Sequence, residues 1–234
     1  MKIPFAKVDC CGNELRYVSE VLESGWLTTA SKTRELETRF AESVRAEFAC
    51  AVNSGTAALH LALEALGVGP GDRVLVPSMT FTASAEVVRY LGAEPVLLDC
   101  DYGTRLVTPE IVREALETHQ DIKALVVVHF AGQAAQLTDL SQDRPGILTI
   151  CRERGVRVVE DAAHAFPAMH AGQTVGAMSA ACCFSFYANK TITTGEGGML
   201  TTNSAAVDER ARTMRLHGIT RDPWLRSSGD APDW

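Results

Sequence analysis

A chain of 234 residues with net charge −7 and 46% hydrophobic against 22% charged residues has the balance of a globular protein with one large core. Its acidity and the lack of any basic run argue against nucleic acid as a partner, and no apolar stretch approaches the ~18 residues of a membrane span or forms a signal segment behind Met1. The seven cysteines include the adjacent pairs Cys10-Cys11 and Cys182-Cys183 but no Cys-x-x-Cys, a pattern expected of reduced, partly buried thiols in a cytoplasmic protein rather than of a disulfide framework or zinc site.

Apolar runs alternate with amphipathic segments, which predicts an α/β fold: three layers, a mostly parallel sheet, and helices on both faces. A helix over 13–24 carries Leu15, Val18 and Leu22 on one face, and a second follows over 32–45. The strand 48–52 runs almost directly into Ser54-Gly55-Thr56. Leu59, Ala62, Leu63 and Leu66 then form a helical stripe, with Gly67 placed to end it. A strand over 73–76 is closed by Pro77; a helix over 82–90 leads to a strand over 95–99. Thr108-Pro109 reads as an N-cap followed by a first-turn proline, opening a helix to 117. The run 123–130, with four apolar residues at its centre, suits a parallel strand covered on both faces. After a loop over 141–146 and a helix to 154 comes a buried strand, 156–160, ending at Asp161. Strands over 182–187 and 199–202 follow, then a helix capped by Ser204 and closed by Gly218. The 222–234 tail is polar and without periodicity.

Three places along this series can carry chemistry. Ser54-Gly55-Thr56 sits between a strand and a helix, where unpaired N–H groups and the helix dipole favour a phosphate; a plain serine cap is the other reading. Asp161 ends an apolar strand, where α/β sheets open a ligand crevice, though it could equally cap a turn; His164 close behind could be a half-buried structural histidine. Lys190 follows an apolar strand and precedes a glycine-rich turn. There it is either a partly desolvated amine nucleophile or a surface lysine leaving the sheet. Pyridoxal 5'-phosphate (PLP) needs an anchor for its phosphate, an anion for its ring nitrogen and a lysine for its aldehyde, and the three places supply these in order.

The text Ser24-Gly25-Trp26-Leu27-Thr28-Thr29, N-S-G-T-A-A-L-H-L-A-L from Asn53, V-P-S-M-T-F from Val76, V-V-E-D-A-A-H-A from Val158 and F-S-F-Y-A-N-K-T-I-T-T-G-E-G-G-M-L from Phe184, with Ile3-Pro4-Phe5 near the start, resembles the DegT/DnrJ/EryC1/StrS family of PLP-dependent sugar aminotransferases. The resemblance implies the large domain of the aspartate-aminotransferase fold type over 1–234, with the family's C-terminal small domain absent from these residues. It implies Lys190 as the lysine bonded to PLP and Asp161 as partner of the ring nitrogen. Gly55, Thr56 and Ser185 would bind the phosphate, Phe81 would stack on the ring, His164 would approach the ring hydroxyl, and Thr28 and Thr29 would lie on the substrate side. It further implies a homodimer that moves an amino group from an amino acid such as glutamate to a keto sugar, nucleotide-linked. Two alternatives stand beside this: a PLP-dependent sugar dehydratase, where relatives carry histidine in place of Lys190, and a non-catalytic binding or regulatory protein on the same fold. Ala30-Ser31 departs from the family's usual Gly-Pro, and 142–145 reads as a small insertion.

Overall fold

The computed structural model describes residues 3–4 and 6–219. Phe5 of the Ile3-Pro4-Phe5 motif and the 222–234 tail lie outside the described residues. In chain order the helices are α1 (Glu14–Ser24), α2 (Ser31–Val44), α3 (Gly55–Ala65), α4 (Ala83–Tyr90), α5 (Pro109–Thr118), α6 (Ile147–Glu153) and α7 (Ala205–Met214). The strands are β1 (Phe48–Val52), β2 (Arg73–Pro77), β3 (Glu94–Leu98), β4 (Ile122–Val128), β5 (Arg157–Asp161), β6 (Met169–His170), β7 (Gln173–Thr174), β8 (Ala181–Ser185) and β9 (Gly198–Thr202). The caps are chemical: Ser54 Oγ accepts from Ala57 N–H, Thr108 Oγ1 from Ile111 N–H and Ser204 Oγ from Val207 N–H, each meeting one of the amides a helix start leaves unpaired.

Seven strands form one sheet in the order β1-β9-β8-β5-β4-β2-β3. Within this sheet all described pairs are parallel except those of β9, which runs against both β8 and β1. Strands alternate their side chains between two covered faces. Val74, Val76, Ala124, Val126, Val159 and Cys183 pack against α3, α4 and α7. Leu75, Leu125, Val127 and Val158 pack against α5 and α6, and Cys182, Phe184 and Met199 against α2. The expected three-layer, mostly parallel α/β architecture is therefore present. The chain moves from β2 outward to β3, then back across β2 to β4, then on through β5 to β8. That reversal makes a switch point beside β2, where the carboxyl ends of the strands open a crevice.

The sheet's far edge is held by charge. Glu37 on α2 meets Arg212 at 2.8 Å and also pairs with Arg215, while Arg212 and Arg215 donate to the carbonyls of Ala49 and Ala51 on β1. Burial pushes the Glu37 carboxyl up, but the hydrogen bond from Arg212 and the charge of Arg215 outweigh it and hold it below the ordinary range. This network fixes β1, and with it the turn into α3. By contrast α1 buries nothing: Leu15, Val18 and Leu22 share a face as expected, yet Leu15 is 83% exposed and the other two are more than half exposed.

Candidate active site

The turn from β1 into α3 is shaped by close packing. A Cβ on Gly55 would stand 3.0 Å from Ser185 Cβ and 3.4 Å from the Phe184 carbonyl oxygen, so the bare glycine lets the N-terminus of α3 settle against the end of β8. Ala57 N–H goes to Ser54 Oγ and Ala58 N–H to Ser54 O, and the first amides, on Gly55 and Thr56, have no intrahelical acceptor. Ser54 is thus a cap and Gly55-Thr56 still offer an anion site. Ser185 Oγ accepts from Tyr187 N–H at 3.3 Å, which leaves its own hydrogen free to donate.

Asp161 is the last residue of β5, paired across to Val128 on β4 and Cys183 on β8, and 6% exposed. Its Oδ1 accepts from Ala163 N–H at 3.2 Å and its Oδ2 from Ser84 Oγ at 2.7 Å. Lys190 stands five residues beyond the end of β8, in a turn whose Lys190 N–H donates to Tyr187 O. That turn is closed by Phe186 N–H to Gly197 O, Thr194 N–H to Phe186 O and Thr193 Oγ1 to Phe186 O, with Gly195 at φ +83°. Burial draws the Lys190 ammonium below its ordinary pKa, opposed by the negative charge of Asp161. Burial likewise lowers the His164 imidazole; the Lys190 charge pushes the same way and Asp161 opposes both.

Gly55, Thr56, Phe81, Asp161, His164, Ser185 and Lys190 all line one cavity of about 550 Å³ at the carboxyl ends of β2, β4, β5 and β8. Its size suits one small organic ligand. Phe81 presents its ring there at 76% exposure, and Tyr187 and Asn189 stand near its mouth. Thr28 and Thr29 lie elsewhere: they line a second cavity of about 590 Å³ that shares Glu196 and Gly197 with the first.

The sequence reading missed three groups here. His129 is buried just past β4; its Nδ1 accepts from Ala135 N–H and its Nε2 donates to Glu160 Oε2 at 2.9 Å. It follows an apolar strand as Asp161 does, so the same strand-end rule would have found it. Ser84 and Thr80, joined to Asp161, carried no such signal.

The sequence profile of the DegT/DnrJ/EryC1/StrS aminotransferase family matches residues 9–231. An aminotransferase from Psychrobacter cryohalolentis is 34% identical over 99% of this chain and 57% of its own, with a TM-score of 0.86. S. venezuelae DesV is 33% identical over 94% of this chain and 59% of its own, TM-score 0.84. Spr1654 from Streptococcus pneumoniae, in its PLP form, is 32% identical over 93% of this chain and 59% of its own, TM-score 0.82. The chain thus spans less than three fifths of the length of these structures.

Proposed function

The chain belongs to the DegT/DnrJ/EryC1/StrS aminotransferase family, and we propose that it serves as the PLP-binding large domain of an aminotransferase that carries an amino group from an amino acid, glutamate foremost, to a nucleotide-linked keto sugar. The observation that carries this reading is a single cavity holding the amides of Gly55 and Thr56, the Asp161 carboxylate and the Lys190 amine. The donor set fits PLP: two unpaired helix amides and the Ser185 hydroxyl suit its phosphate, Asp161 suits a protonated ring nitrogen, and Phe81 offers a face to the ring. The approach of α3 to β8, tight for a Cβ at Gly55, brings the helix amides close to Ser185, an arrangement that suits a phosphate.

When bound, PLP supplies an electron sink that acidifies the hydrogen on the carbon next to a linked amine. This chain's residues do the rest. Asp161 keeps a positive charge on the ring nitrogen favourable. Lys190 would hold the cofactor through its aldehyde; desolvation favours its neutral amine, so its Nζ is suited to take and return a proton at the donor's α-carbon. Burial shifts the His164 imidazole toward its neutral form, and its position in the lining of the same cavity supports a role beside the ring hydroxyl. Lysine at 190 supports amine transfer over dehydration.

A homodimer is part of the proposal: the uncovered Leu15, Val18, Leu22 and Leu27 supply an apolar strip of the kind subunit contacts bury. All seven cysteines stand as free thiols, which supports a cytoplasmic setting. Among the described residues no helix is long and apolar enough to cross a membrane. The test is the half-reaction in an aminotransferase that contains this domain together with a small domain, since these residues alone should turn over little: with PLP and glutamate it forms 2-oxoglutarate up to one equivalent per site and turns over further when a nucleotide-linked keto sugar is added. No 2-oxoglutarate from glutamate or from any other amino acid would count against the reading.

A further inference from the structure

Two linked hydroxyls, buried Ser84 and half-buried Thr80, lead to Asp161, and the reading above leaves them unused. Ser84, on the first turn of α4, is wholly buried, and its Oγ lies 2.7 Å from Asp161 Oδ2. Thr80, at the cavity wall, places its Oγ1 2.6 Å from Ser84 Oγ. A buried serine in a helix ordinarily returns its hydroxyl to its own helix's backbone; this one reaches a carboxylate 77 residues away.

Proton accounting orders the three groups. An ionised Asp161 can only accept, so Ser84 gives it the one hydrogen a hydroxyl has, and the Thr80–Ser84 bond must then be supplied by Thr80. Both hydroxyls point their hydrogens toward the carboxylate. With the Ala163 N–H on Oδ1, each Asp161 oxygen has one protein donor and keeps a lone pair for a ligand. A buried carboxylate needs such donors, because burial without them leaves its oxygens without hydrogen-bond partners. The same short segment, 80–84, also carries Phe81, so the aromatic face and the support of Asp161 come from one stretch of chain.

We infer that Ser84 and Thr80 are positioning residues, a two-hydroxyl relay that holds the Asp161 carboxylate oriented toward the ring nitrogen of the bound cofactor. The inference rests on the PLP reading above. It separates hydroxyl from shape, because threonine and valine are isosteric.

The test is titration of the 234-residue protein with PLP, followed by absorbance, for the parent and for Ser84→Thr, Ser84→Val, Thr80→Val and the Ser84→Val/Thr80→Val pair. A second series uses a PLP analogue carrying C–H in place of the ring nitrogen. Any packing defect from the added methyl is common to Ser84→Thr and Ser84→Val and shows in both melting temperatures. The relay requires PLP to bind Ser84→Val about 10- to 100-fold more weakly than Ser84→Thr. The analogue should bind these two alike, since it has no ring nitrogen for Asp161 to meet. Thr80→Val should weaken PLP binding alone but add nothing in the Ser84→Val background. Equal PLP affinity of Ser84→Val and Ser84→Thr, or the same loss with the analogue, overturns the relay and leaves the PLP reading standing. A parent that binds neither ligand overturns both.

Discussion

Truncating Glu160 to alanine should cost the fold several kcal/mol, and the size follows from what it holds. Glu160 is wholly buried on the sheet face opposite Asp161. Its Oε2 accepts from His129 Nε2–H at 2.9 Å and its Oε1 from Ser179 N–H at 3.2 Å. The Ala135 N–H on His129 Nδ1 fixes which ring nitrogen carries the proton. Glu160→Ala therefore strands the buried His129 donor and the half-buried Ser179 N–H, at about 1–3 kcal/mol each with the second toward the lower end. Removing a buried carboxylate relieves a desolvation cost, which pulls the total toward the lower end, about 2–4 kcal/mol. Glu160→Gln keeps the shape; its amide oxygen serves one donor while its NH₂ group confronts the other, so it should cost about 1–3 kcal/mol. Urea unfolding measures both, read from the midpoint with the slope unchanged. A loss below about 1 kcal/mol for Glu160→Ala, or a larger loss for Glu160→Gln than for Glu160→Ala, would refute the reasoning.

Gly55→Ala sets a Cβ 3.0 Å from Ser185 Cβ and must shift the two phosphate-side groups apart, so it should weaken PLP binding by about 1–3 kcal/mol in a direct titration, with a much smaller change in thermal stability. Asp161→Ala should lower kcat of the cofactor-loaded enzyme by roughly 10²–10³-fold, as loss of other preorganised electrostatic partners does, with Asp161→Glu in between; steady-state rates with glutamate measure it. Lys190 has a folded pKa below its unfolded value, so the unfolded chain binds more protons between the two and cofactor-free stability should rise with pH across that window, toward 10.5. In Lys190→Met that rise should be reduced, as read by thermal melts over the alkaline range.

The site residues that could be read from the chain are those where one-dimensional pattern and chemistry coincide. Asp161 closes an apolar strand, Ser54-Gly55-Thr56 joins a strand to a helical stripe, and Lys190 lies between an apolar run and glycines; each pattern is local. Ser84 carries no signal because a serine between Ala83 and Ala85 looks like any small helical residue, and only the fold, which seats α4 over the sheet, brings it to Asp161. The β6–β7 hairpin escaped because two residues a strand carry no periodicity. The place of β9 between β1 and β8, running against both, is a matter of pairing between distant segments, which alternation within one strand cannot specify. Leu15, Val18 and Leu22 gave a helix of the right period, but period alone does not say that anything covers the face.

The central claim is that Lys190 holds PLP in the cavity that Asp161 and the α3 amides share. Borohydride reduction of the protein loaded with PLP, followed by peptide mapping, tests it most directly. The account predicts one pyridoxyl group per chain, on Lys190, and none after Lys190→Ala. A pyridoxyl group on Lys2, Lys7, Lys32 or Lys123 with Lys190 unmodified, or no stable label on the parent, would contradict it.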